Sequence, residues 1–284
     1  MKNFRIIFAA ILIAGLGLSG LAAQSSENSS LRGMSFNGAT GLFSIPTGQI
    51  GFGSPTDVGL DLGYHAIING GKATSIPMAN VSLFKLVELS AAIDLQPDNT
   101  FCQDKGTDFL SGIKVQLPIT STNLALGGNF QSLNFNNDHS ANRYSAGQIY
   151  LAVTYPGNFF SWPAETTMVV GKTFCNRDGY PSWDFDYGMG FDLVILPQYL
   201  NKFVHWVTDF GNFSYSVEAF GADPYYRGVL NTGLRIDLSQ IPVLSKFKAQ
   251  VDVLVTDVFD DNSTGYGVGG RSFSIGAMFG LPIM

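Results

Sequence analysis

Asp184–Ile195 reads D-F-D-Y-G-M-G-F-D-L-V-I, and its two-residue alternation is unbroken from end to end. Phe185, Tyr187, Met189, Phe191, Leu193 and Ile195 fall on one face of an extended strand. Asp184, Asp186, Gly188, Gly190 and Asp192 fall on the other, because successive side chains of a strand point to opposite sides. One such strand fits any half-buried sheet. Here the pattern returns along most of the chain, and an apolar face alternating with a polar one strand after strand is the mark of a transmembrane β-barrel.

The clearest strands are 57–68, 86–95, 107–117, 123–133, 144–155, 227–238, 247–258 and 272–283, together with 184–195. The ninth strand in chain order covers 212–220, with Phe213, Tyr215, Val217 and Ala219 on one face; less regular ones cover 75–84 and 166–174, and in the latter Lys172 falls in phase with Met168, Val170 and Phe174. The reading is all-β, an antiparallel up-and-down barrel of about 12 strands with 10–14 allowed, since boundaries read from sequence shift by two to four residues. Pro197–Phe210 reads as a turn with a short amphipathic helix. The polar loops 96–106, 134–143, 176–183 and 260–271 all follow odd-numbered strands, which puts them on one rim, the extracellular one. A secreted β-sandwich is the alternative fold; it would need a more charged surface for solubility.

Composition agrees with the barrel. Charged residues make up 13% of the chain and aromatics another 13%, against a soluble norm of about 25% charged. Net charge is −6, which argues against nucleic acid, whose binding requires basic patches. Met1–Arg5 is a short basic start, Ile6–Leu18 an apolar run, and Gly20–Ala23 a small-residue site before Gln24. Residues 1–23 therefore read as a cleaved signal peptide rather than a retained anchor. No cysteine stands at the cleavage site directly after the apolar run, and beyond residue 24 no apolar run is long enough to cross a bilayer as a helix. The domain division is signal peptide 1–23, an N-terminal periplasmic or plugging segment 24–56, and a barrel 57–284. The expected location is the outer membrane of a diderm bacterium, with outer-membrane lipid as the surrounding partner.

In this register the inward charges are Asp61, Glu88, Asp94, Asp108, Asp184, Asp186, Asp192, Asp237 and Asp252, with Lys114, Arg227, Arg235 and Lys248. Rings of one sign tune pore selectivity, so the acidic excess predicts a cation preference if the lumen is open. The opposing expectation is a filled barrel in which these groups pair with one another. Eight strands pack shut and sixteen to eighteen leave a channel; twelve lies between. Asp184 and Asp186 share a face near the outer rim, yet no His-x-Ser pair accompanies them and the three histidines are scattered. Solvated or structural carboxylates are therefore expected, and no catalytic residue is assigned.

Cys102 and Cys175 both fall at the extracellular rim, so a disulfide between the second and fourth outer loops is expected; a bridge needs Cα atoms within about 7 Å. No CxxC or Cys/His cluster suggests a metal, and nothing implies a cofactor. Trp162, Trp183 and Trp206, with Tyr155, Phe159, Phe160 and Tyr199, lie near strand ends. They read either as an interfacial aromatic girdle or as loop packing.

Two stretches resemble known families. The last strand resembles the C-terminal β-signal of outer-membrane barrels, which implies insertion by the barrel assembly machinery. It closes on Phe279-Gly280-Leu281-Pro282-Ile283-Met284 rather than on a terminal aromatic. Residues 37–50, N-G-A-T-G-L-F-S-I-P-T-G-Q-I, resemble the G-x-x-G-L-x-x-x-P-T-A motif of YjbH-family barrels. Gly38, Gly41, Leu42, Pro46 and Thr47 match, and Gly48 replaces Ala. That resemblance covers fewer than about twenty residues. It implies a role in exopolysaccharide handling, with periplasmic polysaccharide-export components as partners. Read as residues alone, the stretch suits a turn, a segment tucked into the barrel mouth or a first strand pair. The function expected is a channel or transport component for small polar solutes or envelope polysaccharide. A structural or adhesive barrel without an open pore is the alternative.

Overall fold

The computed structural model describes residues 32–53, 55–95, 107–118, 122–133, 144–175, 185–213, 228–259 and 271–283. Twelve strands form a closed antiparallel barrel: β1 Val58–Asn69, β2 Lys72–Leu83, β3 Val87–Leu95, β4 Thr107–Leu117, β5 Asn123–Leu133, β6 Tyr144–Phe159, β7 Trp162–Cys175, β8 Asp186–Val194, β9 Val204–Gly211, β10 Val229–Asp237, β11 Lys248–Thr256 and β12 Ser272–Pro282. Each strand pairs with its neighbours in sequence, and β12 closes on β1 from Gly59↔Pro282 to Ile68↔Phe273. Closure leaves no unpaired sheet edge, which lipid would not tolerate.

The outer face is apolar. Leu62, Ile113, Leu126, Phe130, Ile149 and Phe174 all point outward and are exposed, whereas their sequence neighbours Asp61, Lys114, Ala125, Asn129 and Gln148 are buried inside. An exposed apolar band around a closed barrel with a polar interior is the transmembrane arrangement of outer-membrane barrels. No described helix is long and apolar enough to cross a membrane; strands do the crossing.

Two elements differ from the sequence reading. The helix in 197–210 is only Pro197–Leu200, here α1, and β9 begins at Val204, so the ninth strand lies before residue 212 rather than over 212–220. Residues 214–220 lie outside the described residues. The physical reason is that Val207 points inward and Thr208 outward in β9, an inversion that hides the alternation. Likewise the stretch 156–165, which the sequence reading leaves between the strands 144–155 and 166–174, belongs to the strands themselves. β6 and β7 continue as a hairpin to Phe159↔Trp162. They turn on Phe160 (φ 48) and Ser161 (φ 73), the paired positive φ of a tight hairpin turn. Phe160 is 86% exposed at its tip.

Candidate functional site

The lumen is occupied by the chain's own N-terminal segment, residues 32–53. Phe36, Phe43, Ile45 and Ile50 are fully buried there. Phe36, Phe43 and Ile45 pack with Met34 and Leu42 against inward side chains of the wall, among them Ile67, Ile76, Met78, Leu110, Tyr150 and Leu254. Twelve strands enclose more space than wall side chains fill, and the segment supplies the missing core. Its compact path is held by Ser35 N→Ala39 O, Phe36 N→Phe43 O, Leu42 N→Ile45 O and Thr47 N→Thr40 O bonds of 2.8–3.0 Å. At the sharpest turn Gly38 has φ 84, and a Cβ there would sit 2.6 Å from the Ala91 carbonyl oxygen. At Gly48 a Cβ would overlap the carbonyl of Asn123. Gly38, which the motif keeps, and Gly48, where the motif has Ala, are therefore both required by close approach to the wall.

Charged wall residues grip this segment through its backbone and hydroxyls. Glu88 accepts from Thr40 N (2.9 Å), Thr40 Oγ1 (2.5 Å) and Gly51 N (3.0 Å). Its neighbour across the β3–β4 pair, Lys114, forms a 3.0 Å ion pair with it and donates to Thr40 O at 2.9 Å. Asp209 on β9 accepts from Phe43 N (2.8 Å), Ser44 N (2.7 Å), Ser44 Oγ (3.0 Å) and Asn231 Nδ2 (2.7 Å). Arg235 is clamped to Asp252 by bonds of 2.9 and 3.1 Å and reaches the carbonyls of Gly41 and Leu42 at 3.2 and 3.4 Å. Thr154 Oγ1 accepts from Gly48 N, and Gln49 Nε2 donates to Glu165.

The segment enters and leaves by the same rim. Lys248 Nζ, at the start of β11, donates to Arg32 O (3.4 Å) and Gly51 O (3.0 Å) and pairs with Asp61 at 2.7 Å. β1 follows from Val58. This is the rim of the tight turns after even-numbered strands, the periplasmic one under the expected topology.

Of the inward charges read from sequence, Asp61, Glu88, Lys114, Arg235, Lys248 and Asp252 are brought together around the segment. Asp192 instead pairs with His205 at 2.5 Å. Asp186 lies farther toward the opposite rim in a network with Gln148 (2.8 Å) and Thr173 (2.5 Å). Asp94 and Asp108 face one another across the β3–β4 register. Asp237 accepts from Ser239 N (2.9 Å) and Gln240 Nε2 (2.8 Å) and so caps a turn at the rim. Asp184, Arg227 and Cys102 lie outside the described residues, as do the side chain of Cys175 and the expected disulfide. The signal peptide, residues 1–23, lies outside them too. Trp206 is on the outer face, edge-on to Phe191 at 5.3 Å, and Trp183 is not among the described residues.

The sequence reading passes over Asp209 because it treats 197–210 as a turn with a short helix. The alternation His205, Val207, Asp209, Gly211 was the available signal. Sequence spacing also gave no hint that Ser274, His65 and Asp252 would align. His65 Nδ1 lies 3.2 Å from Ser274 Oγ, and Nε2 lies 3.5 Å from Asp252. In this row Asp252 is already held by Arg235, Ser274 is fully buried, and Phe36 stands edge-on to His65 at 5.0 Å. The geometry ties β1, β11 and β12 together around the segment and leaves no face open to a substrate. No group of three or more potential metal ligands occurs among the described residues.

No family model matches the sequence, and no curated protein matches it. Solved structures to which the chain is similar include the KdgM porin, at 9% identity and TM-score 0.46, covering 77% of this chain and 98% of that one. Omp33 of Acinetobacter baumannii is similar at 9% identity and TM-score 0.43, covering 80% and 98%. An outer membrane channel from Pseudomonas putida F1 is similar at 9% identity and TM-score 0.39, covering 90% and 99%. Likeness at this level carries nothing about what fills the lumen or what passes through it.

Proposed function

We propose that this chain is an outer-membrane channel protein held shut by its own N-terminal segment, serving small polar solutes or envelope polysaccharide. The observation that carries the reading is the lumen wall. A barrel needed only as a structure would be closed most simply by an apolar interior. Here the wall instead points Glu88, Lys114, Asp209, Arg235 and Lys248 at a stretch of chain that is not part of the wall. Buried charges of this kind are costly unless paired and hydrogen-bonded; most pair within the wall, and the segment completes their hydrogen bonding.

The resting state is closed. Re-exposing Phe36, Phe43, Ile45 and Ile50 costs roughly 6–12 kcal/mol at about 1.5–3 kcal/mol per side chain. At about 1.4 kcal/mol per tenfold, spontaneous opening is rarer than about one molecule in 10⁴. The exopolysaccharide direction rests on the YjbH-like residues Gly38, Gly41, Leu42, Pro46 and Thr47, of which Gly38, Gly41 and Leu42 accept wall hydrogen bonds at their carbonyls. Periplasmic polysaccharide-export components and the barrel assembly machinery remain the partners proposed, and no enzymatic role is proposed.

The test is single-channel conductance in planar bilayers. Wild-type barrel, refolded and verified by a heat-modifiable gel shift, is expected to be silent. Gly38→Val with Gly48→Val, which drives the segment off the wall while leaving every wall charge in place, is expected to give discrete current steps. A folded double variant that stays silent would favour the structural barrel without a pore.

A further inference from the structure

The lumen segment begins with Arg32, which donates to the segment's own Ile50 carbonyl at 2.9 Å; from Gly33 to Gly53 it carries no charged residue, yet the wall groups that hold this stretch are mostly ionic. They bond to this stretch through its hydroxyls and backbone groups, and Lys248 and Arg235 also lie over the Phe52 and Phe43 rings at 4.3 and 5.4 Å. Glu88 and Asp209 each accept a hydroxyl, from Thr40 and Ser44, alongside two backbone N–H groups. Lys114, Arg235 and Lys248 donate to its carbonyl oxygens. The wall charges meanwhile neutralise one another: Lys114 with Glu88, Arg235 with Asp252 and Lys248 with Asp61, at 2.7–3.0 Å. Two further wall acceptors, Asp61 Oδ1 and Gln250 Oε1, are buried without a hydrogen-bond partner among the described residues.

From this we propose that the wall groups gripping the segment form a binding site for an uncharged polyhydroxylated solute, and that segment and solute compete for it. The inference rests on the shut-channel reading and specifies its cargo. A cationic solute would meet Lys114, Arg235 and Lys248; an anionic one would meet Glu88, Asp61 and Asp209. An apolar solute would leave the wall's ion pairs intact but would leave unmade the hydrogen bonds that these groups now exchange with the segment, at high cost. A chain of hydroxyls satisfies them in the way that Thr40 and Ser44 do. A carboxylate with two oxygens accepts from adjacent donors, which matches neighbouring hydroxyls on one ring, and the unpartnered acceptors on Asp61 and Gln250 take further hydroxyls.

The experiment is calorimetric titration of the full chain in detergent with maltohexaose, beside recordings of current interruption by the same sugar. Wild type is expected to bind at least tenfold more weakly than Gly38→Val/Gly48→Val. In that background Glu88→Gln and Asp209→Asn are each expected to weaken binding about tenfold. If the double glycine variant does not fold, Thr40→Ala/Ser44→Ala takes its place, because it weakens the segment's hold without altering the wall; about tenfold tighter binding than wild type is expected. No sugar binding to a folded variant overturns the proposal, and so does equal or tighter binding of a carboxylate-bearing oligosaccharide of the same length. Binding without conductance supports the site and rejects the channel. Conductance without binding keeps the channel and rejects the site.

Discussion

Arg235 shows what a single residue does in this barrel. It is fully buried, donates to Asp252 at 2.9 and 3.1 Å, and reaches two carbonyls of the lumen segment. Arg235→Met would leave Asp252 beside His65 without its main counter-charge and free the carbonyls of Gly41 and Leu42. Removing one member of a buried pair costs about 3–5 kcal/mol. The urea midpoint of folding in phospholipid vesicles should fall accordingly, and an unchanged midpoint would mean that the guanidinium is not engaged. Phe43→Ala, truncating a fully buried ring, should cost about 3–5 kcal/mol in the same assay. That Arg235 and Asp252 point inward was readable from the alternation. That they sit directly opposite one another was not, because register depends on how the turn between their strands closes. The same holds for Glu88 and Lys114.

At the scale of elements, legibility followed the purity of alternation. β3 and β12 set small or polar residues against large apolar ones, and their limits were readable to within a residue or two. β2 read as irregular because Ile76 and Met78 face inward to meet the segment. β9 was displaced because Val207 and Thr208 exchange the usual faces. In both cases an occupied lumen requires apolar inward residues, and the simple rule of polar inside fails there for that reason. The assignment of β9 is testable at Thr208, whose side chain is on the outer face midway along the strand. Thr208→Arg should destabilise the barrel by about 2–4 kcal/mol, the cost of a cation on the lipid face near the midplane. The same substitution in an aqueous turn would be near neutral.

For the whole molecule, the decisive feature is that a twelve-strand barrel and a 22-residue stretch preceding it form one packed interior. Composition and alternation were sufficient for the barrel. They left open whether residues 24–56 hang in the periplasm, plug the mouth or form a first strand pair, since Gly- and Pro-rich sequence serves all three. The long-range bonds that decide it join residues about 50 to 200 positions apart, a separation at which a single sequence holds no local signal. The most direct test is the thiol accessibility of Ser44→Cys in a Cys102→Ser/Cys175→Ser background, refolded in detergent and challenged with a small maleimide. A lumen filled by its own segment predicts labelling slower than in the urea-unfolded chain by at least about 10³-fold, in line with the cost of exposing the buried side chains. Labelling at the unfolded rate would place the segment outside the barrel and contradict the closed state.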